Sequence, residues 1–128
     1  MNDLTTKVQE DDVTAEQNWT SICALQDLPI NAGVAALLHP DTPKETQIAL
    51  FRTSANDEVY AISNFDPFSE ANVLSRGILC SLGERLAVAS PVLKEHFNLA
   101  TGQCLEDESV SIATFPVKIV DGNVLVAG

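Results

Sequence analysis

Basic residues are scarce in this sequence. Seven Lys and Arg stand against eighteen Asp and Glu, a formal net charge of −11 over 128 residues. A field of that sign repels phosphate backbones and anionic lipid, which excludes nucleic acid and a membrane surface as partners. Long apolar runs are missing too, since none approaches the roughly 20 residues that span a bilayer. The opening MNDLTTKVQEDD is too polar and acidic for a signal or transit peptide, so a cytoplasmic location is expected.

Cysteine is limited to Cys23, Cys80 and Cys104, odd in number, widely spaced and in no CxxC or CxH pairing. That pattern excludes a disulfide framework and suits reduced thiols, most simply small buried hydrophobes. Together with His96 they could supply enough ligands for a metal, but no close spacing pre-positions them. The only other histidine is His39, which stands before Pro40 and reads as a loop residue. Neither histidine lies beside a Ser or Cys in a nucleophile motif. No GxGxxG or GxxxxGKS/T loop is present to hold a dinucleotide or a phosphate. Independent catalysis and an NAD site on this chain are not expected.

What is present is a mainly aliphatic composition, 45% hydrophobic with only 5% aromatic, in a length that suits one domain with one core. Residues 1–17 carry Asp3, Glu10, Asp11, Asp12 and Glu16 against Lys7, and few large apolar side chains; they predict an acidic mobile tail. The folded domain is expected over 18–128, beginning at NWTSICAL with Trp19 as a core anchor. VAALLH, QIALFRT and EVYAISN read as short strands separated by the turn-rich HPDTPKET and SANDE. DPFSEANVLSRGIL interrupts this pattern, RLAVAS resumes it, and SPVLKEHFNLATG follows as a loop region. SVSIATFPVKIVDGNVLVA alternates Val110 with Ile112 and Val117 with Ile119, and turns at Asp121-Gly122. No long stretch keeps the i, i+3, i+4, i+7 apolar rhythm of a helix. The class is all-β, an antiparallel sandwich or small barrel.

Two of these stretches carry a further signal. SPVLKEHFNLATG resembles the second cluster-binding loop of Rieske proteins, CPxHGxxFDLxTG, through Pro91, Phe97, Leu99, Thr101 and Gly102. NFDPF, after the strand VYAIS, resembles the first loop. A Rieske cluster takes two thiolates on one iron and two imidazoles on the other, from Cys-x-His and Cys-x-x-His. In this alignment Asn64 and Asp66 stand at the first pair of ligand positions, and Ser90 and Leu93 at the second. Serine, leucine and asparagine are poor iron ligands, and His96 lies three residues beyond Leu93. The resemblance therefore implies a Rieske-like fold, with a loop subdomain that resembles the cluster-binding part and no cofactor of its own.

WTSICALQDLP, QIALFR, VYAISNFDPF, VLSRG, SPVLKEHFNLATGQCLED and FPVKIVDGNVLV together resemble the small subunit of assimilatory NAD(P)H-dependent nitrite reductase. That family implies a large catalytic subunit bearing FAD, sirohaem and a [4Fe-4S] cluster, which passes six electrons from NAD(P)H to nitrite and yields ammonium. The small subunit would be a structural or regulatory partner. The alternatives are a free-standing all-β protein-binding module and a Rieske-type ferredoxin. Candidate partner contacts are Asp66, Pro67, Leu93, Lys94 and His96 from the two loops, and Arg76 beside Gly77. Arg76 reads equally as a bidentate fork for a carboxylate or phosphate and as a structural salt bridge holding the first loop. Lys94, Glu95 and His96 read as solvated surface or as contact surface.

Overall fold

The computed structural model of the chain describes residues 19–54 and 58–128. The expected acidic tail, 1–17, lies outside the described residues. Strand β1 (Trp19–Ala24) and a 3-10 turn (Leu25–Asp27) lead into β2 (Gly33–Leu38), β3 (Thr46–Thr53) and β4 (Glu58–Ser63). These last three coincide with VAALLH, QIALFRT and EVYAISN and form an antiparallel meander, with Ala35 opposite Ala49 and Leu50 opposite Ala61.

Strand β3 organises the molecule. Ile48, Ala49, Leu50 and Phe51 are all fully buried. Successive strand side chains point to opposite faces, so a continuous apolar run can serve two cores at once. Ala49 and Phe51 join Ile62, Leu74, Val88, Phe97, Leu99 and Cys104 on one face. Ile48 and Leu50 join Leu28, Leu38, Ala61, Val124 and Val126 on the other. The single core expected from the chain's length is two cores sharing one sheet.

The stretch after β4 folds as a small hairpin, β5 (Phe65–Asp66) with β6 (Ala71–Asn72), then a 3-10 turn (Leu74–Arg76). Next come β7 (Ile78–Leu82), β8 (Arg85–Ala89) and β9 (His96–Asn98), an antiparallel sheet with β8 in the centre. Val88 and Phe97 from this sheet close the first core. This is the loop subdomain, and it holds more strand than the sequence reading gave it. Gly77 lies in the stretch DPFSEANVLSRGIL, which the sequence reads as an interruption of the strand pattern. Its φ of −75° is ordinary; an added Cβ would collide with the Ala89 carbonyl and Val88. Close backbone packing, not a break, is what requires glycine there.

The final segment differs from a simple alternating run. Val110 and Ile112 pack on the first core from irregular backbone. Short β10 (Thr114–Phe115) pairs with β4, whereas β11 (Val117–Val120) pairs with β12 (Asn123–Ala127) in a separate sheet with β1. Pro116 stands at the switch, where a missing N–H is tolerated because no ladder continues through it. Asp121 and Gly122 both have positive φ, 52° and 79°. That is the type I′ geometry that matches the twist of a tight hairpin.

Trp19 is not a core anchor. It is half-buried on β1 beneath Lys118, whose Nζ lies 4.3 Å from the ring centroid. Cys23, Cys80 and Cys104 are free thiols, and burial pushes all three above the usual thiol range. Among the described residues no helix is long and apolar enough to cross a membrane.

Candidate functional site

The β5–β6 hairpin and the turn between β8 and β9 meet at one end of the molecule. Asn64 closes the base of the first loop. Its Oδ1 accepts from the Ser75 amide at 2.7 Å and its Nδ2 donates to Gln47 Oε1 at 3.2 Å. Asp66, two residues on, is fully buried. Its Oδ1 accepts from the Phe68 amide at 2.9 Å, and its carbonyl from the Glu70 amide at 2.7 Å. Its Oδ2 accepts from the Ser90 hydroxyl at 2.5 Å, across the gap between the loops. Burial alone would raise the Asp66 carboxyl. The hydrogen bonds from Ser90 and from the Phe68 and Ser69 amides outweigh it and hold the group below the usual carboxylate range.

Ser90 is 1% exposed and organises the second loop. Its amide donates to the Glu95 carbonyl, and its own carbonyl accepts from Lys94, which sits at φ 69°. Its Oγ also accepts from the Val92 amide at 3.3 Å. Under the loops, the Phe68 and Phe97 rings are 6.2 Å apart and tilted by 40°. Gly102 shapes the exit at φ 80°, where an added Cβ would overlap the Ile112 carbonyl.

The structure brings some of the sequence candidates together and separates others. Asp66 and Ser90 touch; Pro67 is half-buried beside them. Leu93 and Lys94 are exposed at the turn. His96 is tied down: its amide donates to Glu106 Oε1 at 2.8 Å, and its Nδ1 lies 2.6 Å from Oε2. Burial opposes ionisation of Glu106, but the hydrogen bonds from His96 prevail and lower that carboxyl. Arg76 is exposed beside an open cavity of about 580 Å³ lined also by Asn31, Ser54, Ile78 and Cys80. Among the described residues it forms no salt bridge.

Sequence reasoning missed the apolar members of the tip. Phe65, Val92 and Leu93 flank the Asp66–Ser90 junction and are 42%, 51% and 52% exposed. Only Leu93 was a candidate. The burial of Asp66, which the sequence does not announce, is what turns the neighbouring Phe65 outward, because strand side chains alternate in direction.

The Rieske-like [2Fe-2S] domain model matches residues 18–127. The chain belongs to that family. Within it, the Escherichia coli K12 nitrite reductase (NADH) small subunit is 42% identical over 110 residues, covering 86% of this chain and 97% of that protein. The solution structure of E. coli NirD superposes with a TM-score of 0.77 at 41% identity, covering 88% of this chain and 97% of that one. A 108-residue stretch of the Klebsiella oxytoca nitrite reductase [NAD(P)H] large subunit is also 42% identical, 84% of this chain against 11% of that protein.

The two loops of this Rieske-like domain do not fit the family's cluster. The side chains at the loop junction are a carboxylate and a hydroxyl already bonded to each other, with the amide of Asn64 spent on Ser75 and Gln47. Leu93 has no donor atom. Among the described residues no three His, Cys, Asp or Glu side chains converge as a metal would require. Thiolate and imidazole are what the chemistry needs, and these positions offer neither.

Proposed function

We propose that this chain is the small subunit of a cytoplasmic NAD(P)H-dependent nitrite reductase, a cluster-free structural or regulatory partner of the catalytic large subunit. The carrying observation is the 42% identity across 97% of the E. coli small subunit. The Klebsiella protein supports the pairing, because there a stretch similar to this chain is part of the large-subunit polypeptide. In this reading FAD, sirohaem and [4Fe-4S] reside on the large subunit, and nitrite is reduced there to ammonium. The folded unit is 18–128, preceded by an acidic tail.

The contact surface in this proposal is the two-loop tip. Phe65, Val92 and Leu93 offer exposed apolar side chains around a buried polar junction. Exposed apolar side chains of this kind, with the charged Lys94 beside them, suit the desolvated part of a protein interface. Pro67, Lys94 and His96 complete this candidate surface, His96 being held by Glu106. Arg76 is a further contact candidate, suited to a carboxylate on the partner.

The test is to delete the gene for this chain and measure both NAD(P)H-dependent nitrite reduction and the yield of large subunit. Loss of activity with normal yield supports a regulatory or positioning role, and loss of both supports assembly. Unchanged activity and yield would leave a free-standing binding module as the better reading. A purified chain with visible absorption and stoichiometric iron and sulfide would instead establish an electron carrier.

A further inference from the structure

The misfit between these loops and an iron–sulfur cluster has a definite form. Two thiolates that share one iron must come from different loops and converge within a single coordination sphere. Among the described residues, one side-chain hydrogen bond joins the two loops: Ser90 Oγ donates to Asp66 Oδ2 at 2.5 Å. Asn64, the position first aligned with the cysteine of the Cys-x-His loop, is committed to Gln47 and Ser75 at the loop's base. A Cys-x-His frame started at Asp66 puts Phe68 in its histidine place. The Cys-x-x-His frame started at Ser90 still puts Leu93 in its last.

We propose that the Asp66–Ser90 hydrogen bond stands where the thiolate pair of a Rieske cluster would stand, and cross-links the two loops in the cluster's place. The vestigial ligand set is then Asp66, Phe68, Ser90 and Leu93. Each loop is wound around its half of the clasp. Asp66 gathers the Phe68 and Glu70 amides, and Ser90 gathers those of Val92 and Lys94. A metal would pin both loops at one point, and the shared proton between these two side chains does the same. Phe68, at the first imidazole position, turns its ring to Phe97 and fills space beneath the clasp. The inference concerns the chain itself and stands whether or not the tip docks on a partner.

Two four-residue variants test the register. One carries Asp66→Cys, Phe68→His, Ser90→Cys and Leu93→His. The other carries Asn64→Cys, Asp66→His, Ser90→Cys and Leu93→His. Each is treated anaerobically with ferric iron and sulfide, then desalted and assayed for visible absorption, iron and sulfide. Colour with two irons per chain in the first variant alone is expected. Colour in the second, in both, or in neither while both keep the β-rich far-UV spectrum, would overturn the proposal. Should the first variant fail to fold, amide hydrogen exchange on Ser90→Ala decides. Cutting the clasp from the second loop is expected to speed exchange at Phe68 and Glu70, in the first loop, by at least about tenfold. Unchanged rates there, with only Val92 affected, would show a local hydrogen bond and no cross-link.

Discussion

Replacing Ser90 by alanine removes the hydroxyl that reaches Asp66 Oδ2 and leaves that carboxylate oxygen buried without its donor. A hydrogen bond to a charged group contributes about 1.5–3 kcal/mol, and an unsatisfied buried partner puts the loss toward the upper end. The weaker 3.3 Å bond from the Val92 amide disappears as well. A fall of about 2–3 kcal/mol in unfolding free energy is expected at neutral pH. At an unfolding entropy of about 2.1 cal/mol/K per residue, a domain of roughly 110 residues loses about 4 °C per kcal/mol, so Tm should drop by about 8–13 °C. The sign of the pH dependence follows from Asp66, whose carboxyl is lower in the fold than its ordinary value; no charged neighbour contributes to that shift. Its stabilisation is fully present above the unfolded value of about 3.9 and is lost as pH falls through the folded value. The gap between wild type and Ser90→Ala is therefore constant from about pH 8 to 5 and narrows below about pH 4. Urea unfolding followed by Trp19 fluorescence across that range measures it. A loss under about 0.5 kcal/mol, or a gap that stays constant to pH 2, would refute the charge-assisted clasp.

Two further outcomes follow from the same end of the molecule. Gly102→Ala forces an L side chain into φ 80° and drives its Cβ into the Ile112 carbonyl, so a loss above about 3 kcal/mol is expected in denaturant unfolding. Phe65→Asp with Leu93→Asp changes side chains that are about half exposed; Tm should move by under about 3 °C while co-purification with the large subunit falls at least about tenfold. Undiminished pull-down of the aspartate pair would place the interface elsewhere, with the Arg76 cavity the next surface to probe.

The central meander was legible because β3 and its neighbours are local: each apolar run ends in turn formers, and pairing follows chain order. The Asp121-Gly122 hairpin was legible for the same reason. Strands β7 and β9 were not. Gly77 looks like punctuation in the sequence, but the reason for it is the Ala89 carbonyl, a neighbour that only the fold supplies. His96–Asn98 is a strand because β8 lies beside it, with no alternation of its own to announce it. At the site, the sequence pointed to both loops, 64–68 and 90–102. It could not show that Asp66 and Ser90 meet, since they are 24 residues apart, or that Glu106 claims His96 from ten residues away. Hydrogen bonds of that range leave no periodic signal.

A buried carboxylate is an expensive way to hold two loops together. Filling the junction with apolar side chains of similar volume would avoid the desolvation cost, and such replacements of buried polar pairs are often neutral or stabilising. The apolar means are already at hand, because Phe68 and Phe97 pack directly beneath. Packing of that kind holds the loops together but specifies their relative position weakly. A short charge-assisted hydrogen bond is directional: it is strong at one separation and one angle, and so fixes register as well as proximity. Fixed register is what a metal centre imposes on its loops, and it is what a docking tip built from Phe65, Val92 and Leu93 would need. The polar junction is thus better explained by the geometry it holds than by the stability it adds.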